Sequence, residues 1–410
     1  MLGMKLDRLK VNSCQDPRAI RAFWIAYSCS ILGRFIHGMA LSWIVWQLTK
    51  SPLWLSAIAL LSALPALPLA PVAGFVADRF HRHQILLITQ TFGCFIATVT
   101  AYLAFNGLLN EYNLAALALC FGIISSIDGP SMHSMLVESG ENVSVSVARQ
   151  SLVMNVARSI APLLAVLIIE SFSAGWCFAI NAVCFIPMII VMAIIRIPNA
   201  SSSEEREQSV KMTSRALFMR YRILKEVLPQ VACLSILVMP AVAMLPAISL
   251  KGSELMSFGS MSSGLGFGAV AAAVLMQKNK SLINRVTTVW MGGWITCIGF
   301  ALLPALDTIS SQWICAVVAG AALTFSLAAA NNSIQRNAPN MYRGRFSAMY
   351  LAVMLGLVPL GQGLIGFSSE HFGAGNSVRV CSITAMVLMV LFAYLSSQDK
   401  DPDEKVEEDP

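Results

Sequence analysis

GFVADRFHRH, residues 74–83, sets one acid, two arginines and two histidines between two long apolar segments. Charges this close to hydrocarbon are costly unless they sit at a membrane surface. The stretch therefore marks a short polar turn between two membrane spans, and the rest of the chain repeats that arrangement. A span needs about 20 apolar residues. Runs of that length fall at 22–48, 54–77, 84–106, 113–136, 146–170 and 174–196, and again at 227–250, 257–276, 287–305, 311–331, 346–367 and 378–396.

The composition agrees. Of 410 residues, 56% are hydrophobic and 12% charged, with a mean hydropathy of +0.68. Soluble domains carry about 25% charged residues, so one large soluble core is excluded. The formal charge of +6 is spread over the short connections. No basic face with interleaved aromatics is present, which argues against nucleic acid as a partner. The ten cysteines are scattered singly without a CxxC pair, so neither a zinc site nor a disulfide framework is expected. The first apolar run is too long for a signal-peptide core and is expected to stay in the protein.

The fold class expected is therefore all-α integral membrane, with twelve transmembrane helices in two six-helix bundles. The bundles are assigned to 1–196 and 226–397. A linker at 197–225 carries a serine run, three glutamates and then VKMTSRALFMRYRILKEV (210–227), which alternates basic and apolar residues at helical spacing. It reads as a surface amphipathic helix or as a plain solvated connection. Residues 398–410 form an acidic tail of the kind that is usually solvated and disordered. Placing both termini in the cytoplasm puts most of the 28 basic residues on the inner side, the pattern that sets topology.

Within the spans few charges remain. Arg34 lies in the first, Asp128 in the fourth and Arg158 in the fifth, each costing roughly 3 kcal/mol at a bilayer centre unless paired or hydrated. His37 shares a helix face with Arg34. Two readings stand for the three charges. Asp128 titrates and competes with an anionic substrate for an arginine, or it forms a permanent ion pair that fixes helix packing. His37 is a proton-relay member or a hydrogen-bonded packing residue. The glycines 264, 266 and 268, and 356, 361, 363 and 366, are expected to let helices approach closely. No nucleotide-binding loop, metal-ligand cluster or nucleophile constellation appears. No cofactor and no enzymatic reaction are expected, and transport would draw on an ion or substrate gradient.

Six plus six spans around a basic linker resemble the major facilitator superfamily. The signature between its second and third spans is matched by Gly74, Asp78, Arg79 and Arg82, with His81 and His83 departing from it. GRFIHGMALSWIVWQLTKSPLWL (33–55), Asp128-Gly129, NVARSIAPLLA (155–165), CFAINAVCF (177–185) and NAPNMYRGRFSAMY (337–350) resemble the drug:proton antiporter branch that includes the enterobactin (siderophore) exporter. Ala161 replaces a usual glycine, and the second-half copy of the signature at 277–285 lacks its acid. The resemblance implies a monomeric, proton-coupled exporter of a small, siderophore-like anion in the bacterial cytoplasmic membrane. Arg34, Asp128, Arg158 and His37 would serve coupling. Gly74, Asp78, Arg79 and Arg82 would form a cytoplasmic gate with Gly344 and Arg345 at the start of span eleven. The alternatives are a broad-specificity drug efflux pump and a membrane receptor or assembly protein that transports nothing.

Overall fold

The computed structural model describes residues 17–69, 76, 79–138, 143–194, 214–279 and 285–398. Gly74, Asp78, most of the linker and the acidic tail from 399 onward lie outside the described residues. Among those described, twelve helices are long and apolar enough to cross a membrane. They are α1 (Arg18–Thr49), α2 (Pro52–Leu69), α3 (Arg82–Phe105), α4 (Glu111–Met132), α5 (Val145–Ser171) and α6 (Ala174–Ile194), then α7 (Arg222–Met244), α8 (Glu254–Lys278), α9 (Val286–Ala305), α10 (Ile309–Asn337), α11 (Arg343–Phe372) and α12 (Ala374–Leu395). The odd-numbered helices begin at the end that carries the linker, called here the linker end; they finish at the opposite, far end.

Local chemistry explains where the helices stop and bend. The α1–α2 corner turns at Lys50, whose φ of 48° is left-handed, a conformation costing a non-glycine residue ~1 kcal/mol or more. Ser51 then caps α2 by accepting from Trp54 N, and Pro52 follows at the first helical position, where its missing N–H is no loss. Pro130, Pro162 and Pro187 lie inside α4, α5 and α6. Each removes a backbone hydrogen bond within its helix and favours a bend. In α7 the regular helix gives way to a π turn at Leu234–Val238 and a 3₁₀ turn at Met239–Met244. Continuous helix begins at Arg222, preceded by a seven-residue linker helix, Ser214–Arg220, whose Leu217 is fully buried. That burial ties the end of the linker to the second half.

Packing divides the molecule unevenly. At the linker end each half has its own core. In the first, Phe23, Tyr27, Leu86, Met135, Met188 and Met192 pack together. In the second, Leu217, Leu224, Val231, Ile334, Phe346 and Tyr350 do so. Toward the far end a single core draws on both halves, joining Met39, Val45 and Val166 to Leu237, Phe258, Met261 and Phe300. Among the described residues the halves thus share one core toward the far end and keep separate cores at the linker end.

Glycine permits that shared packing. A Cβ at Gly266 in α8 would lie 2.6 Å from Ser159 Cα in α5, and one at Gly366 in α11 would overlap Ser56 of α2. Both contacts join the halves. Within the second half, Gly268 abuts the Val317 carbonyl of α10 and Gly361 the Ile236 carbonyl of α7. Gly363 meets nothing, so close packing does not explain it.

Candidate functional site

Two of the intramembrane charges, Arg34 and Asp128, meet where α1, α3 and α4 converge. Arg34 Nη1 donates to Asp128 Oδ2 at 3.0 Å, and Nη2 donates to Ser125 Oγ at 3.2 Å. The other carboxylate oxygen accepts from Thr89 Oγ1 and Gln90 Nε2, both at 2.8 Å. Ser30 Oγ in turn donates to Gln90 Oε1 at 3.0 Å. The Asp128 side chain is 5% exposed and that of Arg34 28%. A buried carboxylate with three donors is satisfied as an anion. Thr89 and Gln90 are functional candidates that reading for charge alone passes over. They lie in a run of three polar residues, Thr89 to Thr91, in a span that also carries Thr98 and Thr100, so residue type alone does not single them out.

Arg34 also borders two cavities. One, of about 350 Å³, lies within the first half and is lined by Tyr27, Gln90, Asp128, Gln150 and Met154. The other, of about 430 Å³, lies between the halves. Its walls are mostly apolar, with Phe35, Met39, Met239, Phe258 and Phe300, and its charged groups are Arg34 and Arg158. Arg158 of α5 retains accessible surface and has its guanidinium carbon 5.8 Å from the centre of the Phe35 ring, within cation–π range. Among the described residues no carboxylate pairs with it. Of the two arginines, then, Asp128 takes Arg34 and leaves Arg158 to the cavity.

His37 stands one helical turn beyond Arg34 and is buried. Its Nδ1 lies 3.2 Å from Asn181 Nδ2 of α6, which a neutral imidazole accommodates by accepting. The ring stacks on Phe121 at 5.4 Å, and the Arg34 guanidinium lies 5.8 Å from the same ring's centre. His37 is thus joined to Arg34 through a shared aromatic neighbour, with its hydrogen bond going to Asn181.

At the linker end, Arg79 is exposed, Arg82 opens α3, and Gly344 and Arg345 sit in the first turn of α11. Gly74 and Asp78 being outside the described residues, that latch has no geometry to report. The far end has one. Glu254, at the start of α8, accepts from Lys50 Nζ at 3.2 Å and from Trp46 Nε1 at 3.4 Å. Glu370, near the end of α11, accepts from Ser51 Oγ at 2.8 Å and from Leu53 N at 3.2 Å. Two carboxylates of the second half thus grip the α1–α2 corner of the first. The Lys50–Glu254 pair is exposed and worth ~1 kcal/mol at most, so the grip is releasable. Replacing both glutamates by glutamine should shift the balance toward a far-end-open state by roughly five-fold. Hydrogen exchange by mass spectrometry should then speed up at residues 46–53 and 250–256; unchanged exchange there would show that the carboxylates do not hold the closure.

Twelve apolar helices enclosing a cavity between two halves, together with the family and relative that the chain matches, make this a multi-pass membrane transporter of the major facilitator type, not an enzyme. The chain belongs to the transmembrane secretion effector family, whose sequence profile matches residues 15–409. It is 21% identical over 381 residues to the staphyloferrin A transporter of Staphylococcus aureus, covering 90% of this chain and 94% of that one. A second relative, the uncharacterized MFS-type transporter YfiS of Bacillus subtilis, is 28% identical over 181 residues, 43% of this chain and 42% of that one. Among solved structures, the nucleoside transporter NupG superposes with a TM-score of 0.70 at 14% identity over 92% of this chain and all of that one. A bacterial homologue of the iron transporter ferroportin in an inward-facing state does so with a TM-score of 0.61 at 15% identity, covering 92% and 98%. At such identities these structures speak for the fold alone.

Proposed function

We propose that this transporter exports a small anionic, siderophore-like molecule across the bacterial cytoplasmic membrane as a monomer, with its movement coupled to protons. The observation that carries the reading is the division of labour between two arginines. Arg34 is held by Asp128, while Arg158 faces the cavity between the halves without a carboxylate partner among the described residues. A proton on Asp128 weakens its hold on Arg34 and leaves two guanidiniums for the anion. Loss of that proton returns Arg34 to Asp128 and discharges the cargo. His37 and Asn181 brace Phe121, against which Arg34 moves.

The concentration of lysine and arginine at the linker end supports a cytoplasmic placement of both termini and the linker. The end with separate cores then faces the cytoplasm, where an exporter loads, and the gate residues Gly74, Asp78, Arg79, Arg82, Gly344 and Arg345 close it after loading. Two six-helix bundles, 1–196 and 226–397, rock about the cavity, with the linker at 197–225 between them. The relative named for staphyloferrin A supports a siderophore-like cargo.

One observation favours a second reading, broad-specificity efflux: the 430 Å³ cavity has largely apolar walls. The two readings separate in a deletion strain. Mass spectrometry of spent medium should show the loss of one acidic metabolite, and vesicles carrying the purified protein should move it uphill only when a pH gradient is imposed. Unchanged medium together with movement of uncharged dyes would favour efflux instead.

A further inference from the structure

A second hollow, outside the charged site, does not lie between the halves. It lies at the linker end of the second half, measures about 800 Å³, and is bounded by the linker helix, α7 and α11. Phe218, Leu228, Pro229, Met349 and Val353 form most of its wall. Alanines 232, 348 and 352 leave the groove between them, and Arg345 is the charged residue of its lining. We propose that this slot holds an anionic phospholipid of the cytoplasmic leaflet, with its phosphate at Arg345 and one acyl chain running along α11. The assignment to that leaflet rests on the orientation proposed above.

Three features select this occupant. Protein interiors are close-packed, and an apolar hollow of this size is poorly filled by water, which needs polar partners. A chain of methylenes fits it. The length also fits: Arg345 to Val353 spans eight residues, ~12 Å of helix, against a leaflet's share of roughly 15 Å of hydrocarbon. The charge fits as well. Arg215 and Arg220 on the linker helix, which supplies Phe218 to the slot, and Arg343 at the start of α11, which supplies Arg345, are exposed. Such a basic fringe on the cytoplasmic side attracts anionic headgroups over zwitterionic ones. A small polar anion, the cargo proposed above, has no use for a slot of this lining.

The test uses the full-length protein in vesicles of phosphatidylethanolamine with and without phosphatidylglycerol, extracted gently and weighed by native mass spectrometry. The wild type should retain one phosphatidylglycerol in preference to phosphatidylethanolamine. Arg345→Gln should reduce that preference by roughly five-fold. Ala352→Trp, which fills the groove, should abolish retention, with Ala348→Leu as the milder filling should the tryptophan disturb folding. Equal retention of both lipids by the wild type overturns the proposal, and so does full retention in both filled variants. If filling leaves lipid retention intact but raises the KM for cargo, the slot belongs to the cargo path and the lipid reading fails. Retention does not depend on orientation or on coupling, so its failure would leave the transport reading standing.

Discussion

Asp128→Asn is expected to abolish transport driven by a pH gradient, down to the level of empty vesicles, while the protein still inserts and still binds its cargo. Asparagine preserves the shape of the side chain and an oxygen for Thr89 and Gln90 to bond. What it removes is the charge that holds Arg34 at 3.0 Å and the group that gains and loses a proton. Arg34 is then permanently available to an anion, so binding at equilibrium should be unchanged or tighter while uphill movement stops. The competing explanation is a fixed ion pair that only organises α1 and α4. Breaking such a buried pair from one side costs about 3–5 kcal/mol, which would lower stability and transport together. Adding Arg34→Gln to Asp128→Asn separates the two. A purely structural pair, neutralised on both sides, should regain stability and transport. A coupling pair should regain stability only. Normal gradient-driven transport by Asp128→Asn would end the coupling hypothesis.

Arg158→Gln is expected to weaken cargo binding by roughly 30-fold, the equivalent of about 2 kcal/mol for loss of one partner of a charged hydrogen-bonded contact. Stability should change little, because among the described residues no carboxylate would be stranded by the loss. The neighbouring ring of Phe35 keeps an apolar face toward the cavity. The loss should appear in binding to the detergent-solubilised protein and as a raised KM in vesicles. An uncharged test compound that enters the same cavity should be indifferent to the substitution. If cargo affinity survives Arg158→Gln, the anion does not rest on this side chain, and the apolar walls of the cavity become its recognition surface.

Much of this architecture is legible in the chain because the bilayer makes its demands locally. A span must be long and apolar wherever it occurs, and the helices fall on the apolar runs, with α7 beginning five residues earlier than its run. The site was half legible. Arg34, Asp128 and Arg158 stand out since a charge in hydrocarbon always needs an explanation. Which arginine Asp128 takes was not, because that depends on how α1, α4 and α5 are rotated about their axes, a property of packing between helices distant in sequence. Thr89 and Gln90 escaped for the same reason: as neutral residues they become notable only once α3 is seen to turn them toward a carboxylate. Glu254 and Glu370 lie at helix ends, where an acid is unexceptional, and only the meeting of the two halves gives them partners.

The position of Arg34 on the wall of both cavities has an electrical consequence. One guanidinium can face Asp128 or the cargo, not both at once, so the form that binds the anion is the form that holds the proton, one proton to one anionic charge. Crossing together, the two charges cancel. The loaded step thus moves no net charge and feels none of the ~2.3 kcal/mol that every 100 mV exerts on an unpaired charge. A change in membrane voltage would leave that step untouched while a change in pH would act on it directly, and the same shared arginine would keep protons from crossing when there is no cargo to carry.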